Sequence, residues 1–479
     1  MWKVMNATGS SERMEKAHEH RKMGRRDFLR SLVPGTLAAG AALSSCGPSS
    51  SGEPSGEMTC RLNPKNGDRV SVLGYGMMRL PTIDGGNARD TQGDIDQEMV
   101  NHQVDYALEH GVNYFDTAPR YCRALSEKAL GKALSRHSRD TFFVATKMSN
   151  QERERWDYQF GVDMFENSLK DLQVDYIDYY LLHGIGSGWD QESGMENFQG
   201  RFIENGLLDY LMEQRRLGRI RNLGFSFHGT HETFEYLLSL DEEVHWDFVQ
   251  IQLNYVDWLH AEEQDTRFPN VNAQYAYSLL ERMGIPTVIM EPLLGGRLSS
   301  LPDRVVARLK SMRPSDSAAS WALRFAADHE NVLTVLSGMT YTEHLMDNVR
   351  TCSPLEPLST EELDWLEETA KLILTYPTIP CNECQYCMPC PYGVDIPGVL
   401  THYNKCVNEG NLITSTQSSL YRQARRAFLV GYDRSVPRLR QAEHCIGCGQ
   451  CLAKCPQSID IPAQMERLAS FAEDLRRQG

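Results

Sequence analysis

The sequence is short of basic residues and of long apolar segments, and each shortage excludes a class of protein. It has 49 Lys and Arg against 64 Asp and Glu, which gives a formal net charge of −15. Because phosphate backbones are bound by clustered Lys and Arg, this balance excludes a generic nucleic-acid-binding protein. The apolar runs fall short of the roughly 20 residues of a spanning helix, which excludes a polytopic membrane protein. Hydrophobic residues make up 41% of the 479 residues, which is ample for a large core and excludes disorder.

The 13 cysteines are unevenly distributed along the chain. Nine of them lie in the last 99 residues, from Cys381 onward, and five of those nine lie between Cys381 and Cys406. Because thiolates are ligands of zinc and of iron–sulfur clusters, the C-terminal tail is predicted to hold a metal or redox group.

The N-terminal region carries a charge opposite in sign to that of the rest. Residues 1–45 have eight Lys and Arg and four acidic residues, a net of +4, so the remainder carries −19. The stretch RRDFLR at residues 25–30 precedes a weakly apolar run at residues 31–43, and LSSC follows, ending at Cys46. This pattern resembles a twin-arginine export signal joined to a lipoprotein cleavage box. The alternative is a basic N-terminus ahead of a short anchor helix.

The resemblance implies three consequences for this part of the chain. Residues 1–45 are expected to be the signal, Cys46 to carry the lipid, and residues 46–66 to form a flexible tether that is rich in Ser, Gly and Pro near Cys46. The protein is then expected on the periplasmic or outer side of a bacterial membrane, exported in the folded state and held by the lipid anchor alone.

Between about residues 70 and 350, short apolar runs alternate with amphipathic stretches that have helical spacing. Eight runs are strand candidates: residues 70–76, 112–115, 142–146, 179–182, 222–225, 248–253, 286–290 and 332–336. Nearly continuous apolar strands are typical of a parallel sheet covered on both faces. The predicted fold is therefore α/β, a closed (βα)8 or TIM barrel. A doubly wound open sheet is the competitor, but no Gly-x-Gly-x-x-Gly follows the first run.

Polar side chains follow three successive runs. Asp116 and Tyr121 follow the second, Lys147 ends the third and His183 ends the fourth. Each residue alone has an ordinary structural explanation, such as a turn cap or a satisfied core histidine. A barrel, however, brings the carboxyl ends of all its strands to one rim, which makes the four a candidate catalytic set.

The same residues belong to motifs that resemble those of the aldo/keto reductase family. Asp116-Thr-Ala-x-x-Tyr121 with Ser126-Glu127, Thr146-Lys147, Leu182-His183, residues 218–221 (GRIR) and residues 224–226 (GFS) occur in that family's order, and the resemblance covers roughly residues 73–350. It implies that Tyr121 is the general acid that protonates a carbonyl oxygen as hydride arrives at its carbon. It also implies that Lys147 and Asp116 tune Tyr121, and that His183 orients the carbonyl.

Elementary electrostatics supports these implied roles. A tyrosine has an ordinary pKa near 10, and lowering it by two to three units takes roughly 3–4 kcal/mol of differential stabilisation. A nearby ammonium in a dry pocket can supply that amount. Because a buried Lys147 needs a counter-charge, Asp116 is its expected partner.

The resemblance also assigns residues to a nicotinamide dinucleotide. They run from the carboxamide through the pyrophosphate to the adenosine: Ser226, Gln250, Glu291, Leu293, Gly295, Ser337, Gly338 and Asn348. Three positions depart from the family pattern. Met290 stands where an aromatic residue often stacks on the nicotinamide, and Arg123-Ala124-Leu125 replaces a Gly-containing link. Where an Arg often meets a 2′-phosphate the sequence has His344 beside Glu343, which leaves the choice between NADP and NAD open.

The tail contains two similar cysteine runs about 64 residues apart. Cys381, Cys384, Cys387 and Cys390 are each separated by two residues, whereas Cys445, Cys448, Cys451 and Cys455 end with a three-residue gap, and each run is followed by Pro. The second spacing is that of bacterial ferredoxins, in which the last cysteine commonly ligates the other cluster. The pattern predicts a small, mostly helical ferredoxin-type domain with two 4Fe–4S clusters, one on Cys381, Cys384, Cys387 and Cys455, and one on Cys445, Cys448, Cys451 and Cys390.

Other interpretations of the cysteines stay open. Zinc favours paired Cys-x2-Cys units, and disulfides would leave the duplicated Cys-Pro pattern unexplained. The missing residue before Cys390 leaves a single cluster plus a distorted site as a further alternative.

The helical pattern of residues 362–376 ends in a Pro-containing break. We therefore predict a barrel domain at residues 67–352, a connecting helix within 353–376 and the iron–sulfur domain at 377–479. Helices are also expected at residues 394–407 and 418–430.

The expected activity is hydride transfer between a nicotinamide dinucleotide and a small carbonyl or alcohol substrate, with sugar-like molecules among the candidates. The clusters would serve electron transfer to a redox partner protein or a structural role. Hydride carries two electrons, clusters pass one at a time, and no flavin motif divides them. The alternative is an electron-transfer or ligand-binding iron–sulfur protein whose barrel is not a nicotinamide-dependent enzyme. No nucleic-acid partner is expected.

Overall fold

The computed structural model describes residues 56–88, 93–186, 194–264, 266–267, 270–413 and 415–478. The predicted leader at residues 1–45, with Cys46, and the first part of the predicted tether lie outside these ranges. Within them, no helix has both the length and the apolar character needed to cross a bilayer.

Eight parallel strands close into a barrel, which confirms the predicted fold. Two strands precede the barrel, β1 (Cys60–Leu62) and β2 (Arg69–Ser71). The barrel strands in chain order are β3 (Leu73–Gly76), β4 (Tyr114–Asp116), β5 (Phe143–Met148), β6 (Ile177–Ile185), β7 (Ile220–Phe227), β8 (Phe248–Gln252), β9 (Thr287–Met290) and β10 (Val332–Gly338). Each strand pairs with its neighbour in sequence, and β10 pairs with β3 to complete the ring. Each predicted apolar run overlaps one of these strands.

The first predicted strand, residues 70–76, was wrong in one respect. The run divides into β2 (Arg69–Ser71) and β3, and β2 pairs antiparallel with β1 (Cys60–Leu62). Ser71 marks the division, because its Oγ donates to the carbonyl of Leu73 at 2.7 Å while its amide donates to Asn113 Oδ1 at 2.8 Å. Val70 of this hairpin packs among the side chains that fill the barrel interior, so the hairpin closes one end of the barrel.

Helices cover the outside of the barrel. Among the described residues up to 351, the α-helices are Gln97–Glu109, Ser126–Leu134, Tyr158–Leu172, Gly194–Phe198, Leu207–Arg216, His231–Ser239, Asp241–Val244, Asp257–His260, Ala273–Met283, Asp303–Met312, Ala318–Ala327 and Thr342–Thr351. Their apolar faces pack on the strands in one large core. The strands, buried from both sides, are therefore the rigid support for the loops at their carboxyl ends.

The C-terminal region is helical and has a separate hydrophobic core. Its helices are Ile396–Asn408, Tyr421–Ser435 and Ile461–Arg477, and helix Thr360–Leu374 precedes them. Helix Thr360–Leu374 lies close to the helix predicted at residues 362–376. It begins two residues earlier, because Ser359 and Glu362 form a capping box. The sequence Asp-Ile-Pro follows each cysteine run, at residues 395–397 and 460–462, and explains two helix starts. Asp395 and Asp460 each cap a helix whose first turn contains Pro.

This C-terminal region rests on the carboxyl-end loops of the barrel. Gln457 and Gln252 exchange hydrogen bonds through their side-chain amides, and the amide of Arg267 donates to Ser458 O at 2.7 Å. The cysteine runs are thereby held at the rim where the chemistry of such barrels takes place.

Candidate active site

The centre of the site is a buried ion pair between neighbouring strands. Asp116 ends β4, and Lys147 is the last but one residue of β5. Lys147 Nζ donates to both carboxylate oxygens of Asp116, at 2.6 and 2.7 Å, and to the carbonyl of Thr117 at 2.7 Å. Burial raises the pKa of Asp116 and lowers that of Lys147, and the attraction between the two opposes both shifts. The pair thus keeps a cation at a depth that would otherwise favour the neutral amine.

Tyr121 lies beside this pair on the loop after β4. Lys147 Nζ is 4.9 Å from the centroid of the tyrosine ring. The next three residues, Cys122, Arg123 and Ala124, have φ values of 51°, 56° and 62°. Side chains other than glycine seldom adopt this left-handed conformation, so the departure from a Gly-containing link leaves a strained turn directly after the tyrosine.

His183 on β6 faces Tyr121 across the barrel mouth. The two ring centroids are 5.9 Å apart and the rings are nearly perpendicular, at 81°. The imidazole Nδ1 is 2.6 Å from Ser149 Oγ, and the carbonyl of His183 accepts from the buried Arg201 at 2.7 Å. Burial, followed by the positive charge of Lys147, holds the pKa of His183 well below its usual range, so the ring is neutral. When Ser149 donates to Nδ1, the one ring proton resides on Nε2.

One continuous cavity joins three of the four predicted catalytic residues to all of the predicted dinucleotide residues. Asp116, Tyr121 and His183 line it, together with Ser226, Gln250, Glu291, Leu293, Gly295, Ser337, Gly338 and Asn348. Lys147 lies behind this surface in contact with Asp116 and Tyr121. Each predicted residue therefore occupies a position compatible with its predicted role, although the roles themselves stay predictions.

The donors and acceptors in the cavity fit a nicotinamide dinucleotide. Gln250 is 2% exposed, its amide nitrogen contacts Met290 Sδ at 3.3 Å, and its carbonyl oxygen has no hydrogen-bond partner among the described residues. A carboxamide NH2 is the kind of donor that such an orphaned buried acceptor needs. Ser226 Oγ accepts from the amide of Gly184 at 2.8 Å, which fixes this hydroxyl at the same wall.

The predicted adenosine end of the cavity is acidic. Helix Thr342–Thr351 contributes Glu343, His344 and Asp347 to the lining. Asn348 on the same helix donates to Ser337 Oγ at 3.0 Å and so joins the helix to the end of β10. Asp347 is paired with Arg350 and accepts from Ser317 Oγ at 2.6 Å, which leaves Glu343 beside the imidazole where a phosphate clamp would need a guanidinium group.

Eight of the nine cysteines of the tail gather around two small pockets. Cys381, Cys384, Cys387 and Cys455 line one, and Cys390, Cys445, Cys448 and Cys451 line the other together with Cys387. Cys455 thus lies with the first run and Cys390 with the second, which is compatible with the predicted ligand sets, while the ligation itself stays a prediction. Within the described ranges, no group of three or more Cys, His, Asp or Glu is arranged for a single metal ion.

The donor set of each pocket fits a cluster. Burial raises the pKa of Cys387 and of Cys455, and it raises that of Cys451 to about 12. With the pKa raised, these thiols hold their protons unless iron replaces them, which is the usual coupling of metal binding to thiol deprotonation. Cys448, in contrast, is exposed, so the second pocket opens to solvent.

The sequence interpretation missed the residues through which the two regions share the cavity. Asn382, Cys384, Tyr386 and Pro456 of the tail line the same cavity as Tyr121 and His183. Spacing between cysteines carries no signal for this placement, because it does not show which intervening residue faces the barrel. Cys60, Cys122, Cys352 and Cys406, in contrast, line neither cysteine pocket, as their irregular spacing suggests.

The fold and the site together define a (βα)8-barrel protein with a tyrosine, a buried lysine–aspartate pair and a neutral histidine at its mouth, joined to a cysteine-rich module. Residues 72–371 match the aldo/keto reductase family, and the chain belongs to that family. Residues 380–459 match the 4Fe-4S dicluster domain. The predicted family and the predicted type of C-terminal domain are thus confirmed.

Known relatives cover different parts of the chain. An aldo-keto reductase of Mycolicibacterium vanbaalenii is 28% identical over 236 residues, which are 48% of this chain and 72% of that protein. L-galactose dehydrogenase of Arabidopsis thaliana is 25% identical over 339 residues, 65% of this chain and 95% of that protein. A solved structure of a Bacillus halodurans aldo-keto reductase, in its holo form, has 24% identity and a TM-score of 0.47, with 65% of this chain and 96% of that chain covered.

Proposed function

We propose that the protein is an oxidoreductase that transfers hydride between a nicotinamide dinucleotide and a small carbonyl or alcohol. The observation that carries the proposal is the buried Lys147–Asp116 pair beside Tyr121, with His183 facing the same cavity. The dinucleotide, when bound, supplies or accepts the hydride. The other requirements of the reaction are a proton source at the carbonyl oxygen and a means of orienting the carbonyl, and the chain's own residues provide both.

In the direction of reduction, the Tyr121 hydroxyl donates its proton to the substrate oxygen. The Lys147 ammonium, 4.9 Å from the ring centroid, stabilises the phenolate that remains. Asp116 keeps Lys147 protonated at this depth. The neutral His183 donates a hydrogen bond from Nε2 to the same oxygen and so sets its direction. In oxidation of an alcohol the same groups act in reverse.

We propose a polar, sugar-like substrate. Beyond the catalytic residues the cavity presents Asn87, Gln151 and His228, which offer amide and imidazole groups to hydroxyls. One relative, of which this chain covers 95%, is named L-galactose dehydrogenase, and that name is consistent with this chemistry. A panel of aldoses, lactols and simple aldehydes, tested for dinucleotide-dependent turnover, would show which class is accepted.

We also propose that NADH binds more tightly than NADPH. The Glu343 carboxyl lines the adenosine end and would repel a 2′-phosphate, whereas Asp347 at the same end is already paired with Arg350. Glu343→Arg is expected to improve NADPH affinity by about tenfold, the equivalent of about 1.4 kcal/mol. Fluorescence titration of both dinucleotides with both proteins measures this. An NADPH preference in the unaltered protein would refute the proposal.

The test of the catalytic proposal is the Tyr121→Phe variant. It is expected to bind the dinucleotide with unchanged affinity and to lose carbonyl reduction by at least about 100-fold, because it lacks the proton donor. Tyr158→Phe, at an exposed position on helix Tyr158–Leu172, is the matched control. Full activity in Tyr121→Phe, or no dinucleotide uptake by the unaltered protein, would instead favour a barrel that only binds a ligand.

For the tail we propose two 4Fe–4S clusters, held by the two sets of cysteines described above. A bound cluster supplies one-electron transfer or a structural crosslink. Anaerobic purification followed by iron and labile sulfide analysis is the direct test. About eight irons per chain support two clusters, about four indicate one, and none would refute the assignment. If the clusters exchange electrons with a redox partner protein, the solvent-facing pocket of Cys448 is the proposed exit.

We propose further that the chain is an exported lipoprotein. The support is the twin-arginine-like RRDFLR at residues 25–30 and the LSSC box that ends at Cys46. Replacing both arginines of the pair by lysine is expected to retain the protein in the cytoplasm. Cys46→Ser is expected to release an exported but unlipidated form. Fractionation with a lipid-labelling assay distinguishes the two outcomes, and an unchanged membrane fraction in both variants would contradict the proposal.

A further inference from the structure

A segment of the iron–sulfur module forms part of the catalytic cavity. Tyr386 lies between Cys384 and Cys387, two of the proposed ligands of one cluster, and it lines the cavity together with Tyr121 and His183. Its ring centroid is 6.4 Å from that of His183, and the two rings meet edge to face at 79°. His183 therefore has one tyrosine from the barrel and one from the module as ring neighbours.

A fixed cation holds the Tyr386 ring. Arg120 Cζ lies 5.4 Å from the ring centroid, within the range of a cation–π interaction. Arg120 is itself restrained, because it donates to Gln151 Oε1 at 3.1 Å and pairs with Glu152 at 2.8 Å. Arg120 directly precedes Tyr121, so the proton donor and the support of the Tyr386 ring belong to the same short loop.

The backbone of the module loop is also attached to the barrel. Arg79 donates from one guanidinium nitrogen to the carbonyl of Gly295 at 2.8 Å and to that of Asn382 at 3.2 Å. Gln457 bonds to Gln252 at the end of β8. These contacts place the loop on the rim as a fixed wall of the cavity.

We propose that Tyr386 is a substrate-contacting residue that determines specificity in the reaction proposed above, on which this inference rests. The ring presents an aromatic surface beside His183, where the carbonyl oxygen is expected. Substrates that carry a ring next to the reacting carbon can pack on that surface, whereas short open-chain carbonyls cannot. The cysteine-rich module thereby supplies a part of the substrate site that the barrel lacks.

The test compares Tyr386→Leu and Tyr386→Phe with Tyr158→Leu, a tyrosine-to-leucine change at an exposed position of the barrel. The probes are 4-nitrobenzaldehyde, which has a ring, and glyceraldehyde, which has none. Tyr386→Leu is expected to raise KM for the ring probe by about tenfold or more and to change KM for glyceraldehyde much less. Tyr386→Phe keeps the surface and is expected to resemble the unaltered protein. Dinucleotide affinity and iron content, measured for each variant, are expected to stay constant.

Several results would overturn the inference. One is an unchanged KM for 4-nitrobenzaldehyde in Tyr386→Leu, and another is an equal loss for both probes accompanied by a loss of iron or of dinucleotide binding, which would indicate a structural role. Calorimetric binding of 4-nitrobenzyl alcohol tests the same surface without turnover. If Tyr121→Phe keeps full activity but Tyr386→Leu still loses binding of 4-nitrobenzyl alcohol, the catalytic proposal for Tyr121 fails, whereas the assignment of Tyr386 as a substrate-contacting residue stands. An unaltered protein that neither binds nor reduces the aromatic probes would also refute the assignment.

Discussion

Gly295 and Gly284 provide a matched pair for measuring how firmly the cysteine-rich module rests on the barrel. Both have a left-handed backbone, with φ of 67° and 66°. A methyl group added at Gly284 would meet nothing within 4 Å. One added at Gly295 would lie 2.6 Å from Asn382 Cα and closer still to the Asn382 carbonyl oxygen. Backbone atoms cannot rotate away as a flexible side chain can, so the module loop itself would have to move.

The expected magnitudes follow from that difference. An alanine in the left-handed region costs about 1 kcal/mol of stability, and both variants bear this cost. Overpacking at a tight contact costs about 1–3 kcal/mol more, which only Gly295→Ala bears. The difference between the two variants, about 1–3 kcal/mol, therefore isolates the contact between the loop at Asn382 and the barrel.

Urea unfolding of the dinucleotide-free protein measures the difference, and hydrogen exchange over residues 380–387 shows where it arises. Gly295→Ala is expected to unfold at lower urea and to exchange faster in this segment, whereas Gly284→Ala is expected to retain the exchange of the unaltered protein there. The rate of iron release to a chelator gives an independent measure. Equal losses of stability in the two variants, with identical exchange at residues 380–387, would refute the packing of the module loop on Gly295.

Two further predictions concern buried charges. Lys147→Met is expected to destabilise the fold by about 3–5 kcal/mol, because Asp116 is left buried without its partner, and the double variant with Asp116→Asn should regain stability but not activity. Urea midpoints and turnover check this, and a stable, active Lys147→Met would contradict it. Burial raises the pKa of Glu127 to about 7 from an ordinary 4.5, so the free energy of unfolding falls as pH rises across that interval. Glu127→Gln removes this pH dependence. Its free energy of unfolding, relative to that of the unaltered protein, should therefore rise by about 3 kcal/mol between pH 4.5 and pH 8. Parallel pH profiles of unfolding free energy in the two proteins would contradict the raised pKa of Glu127.

The eight barrel strands could be predicted because strands covered on both faces are almost continuously apolar, and this property is local. The separate hairpin strand β2 could not be predicted, because Val70 and Leu73 are both apolar. The break between them depends on the hydrogen bonds of Ser71 with Asn113, which is distant in sequence. The helix starts at Asp395 and Asp460 are again local, because the cap and the proline adjoin in sequence.

The site likewise has features that depend on local sequence and features that depend on contacts between residues far apart in sequence. The exchange of the last cysteine between the two sets is predicted from the ferredoxin-type spacing, and Cys455 and Cys390 do line pockets with cysteines of the other run. The position of Tyr386 beside His183 depends on how two separately packed cores meet, through contacts such as Gln252 with Gln457 that lie 205 residues apart. The two-residue spacing between cysteines does not predict which of the two intervening residues will contact another domain.

The shared cavity has a consequence for the order in which the protein is made. Tyr121 and Pro456 line the same space although one is encoded near the start of the barrel and the other near the end of the chain. A ribosome that has completed all eight barrel strands has still not produced the final wall residues. The cavity thus acquires its full lining only after residues 382–456 have been made, and a chain that stops after β10 leaves the mouth of its barrel uncovered.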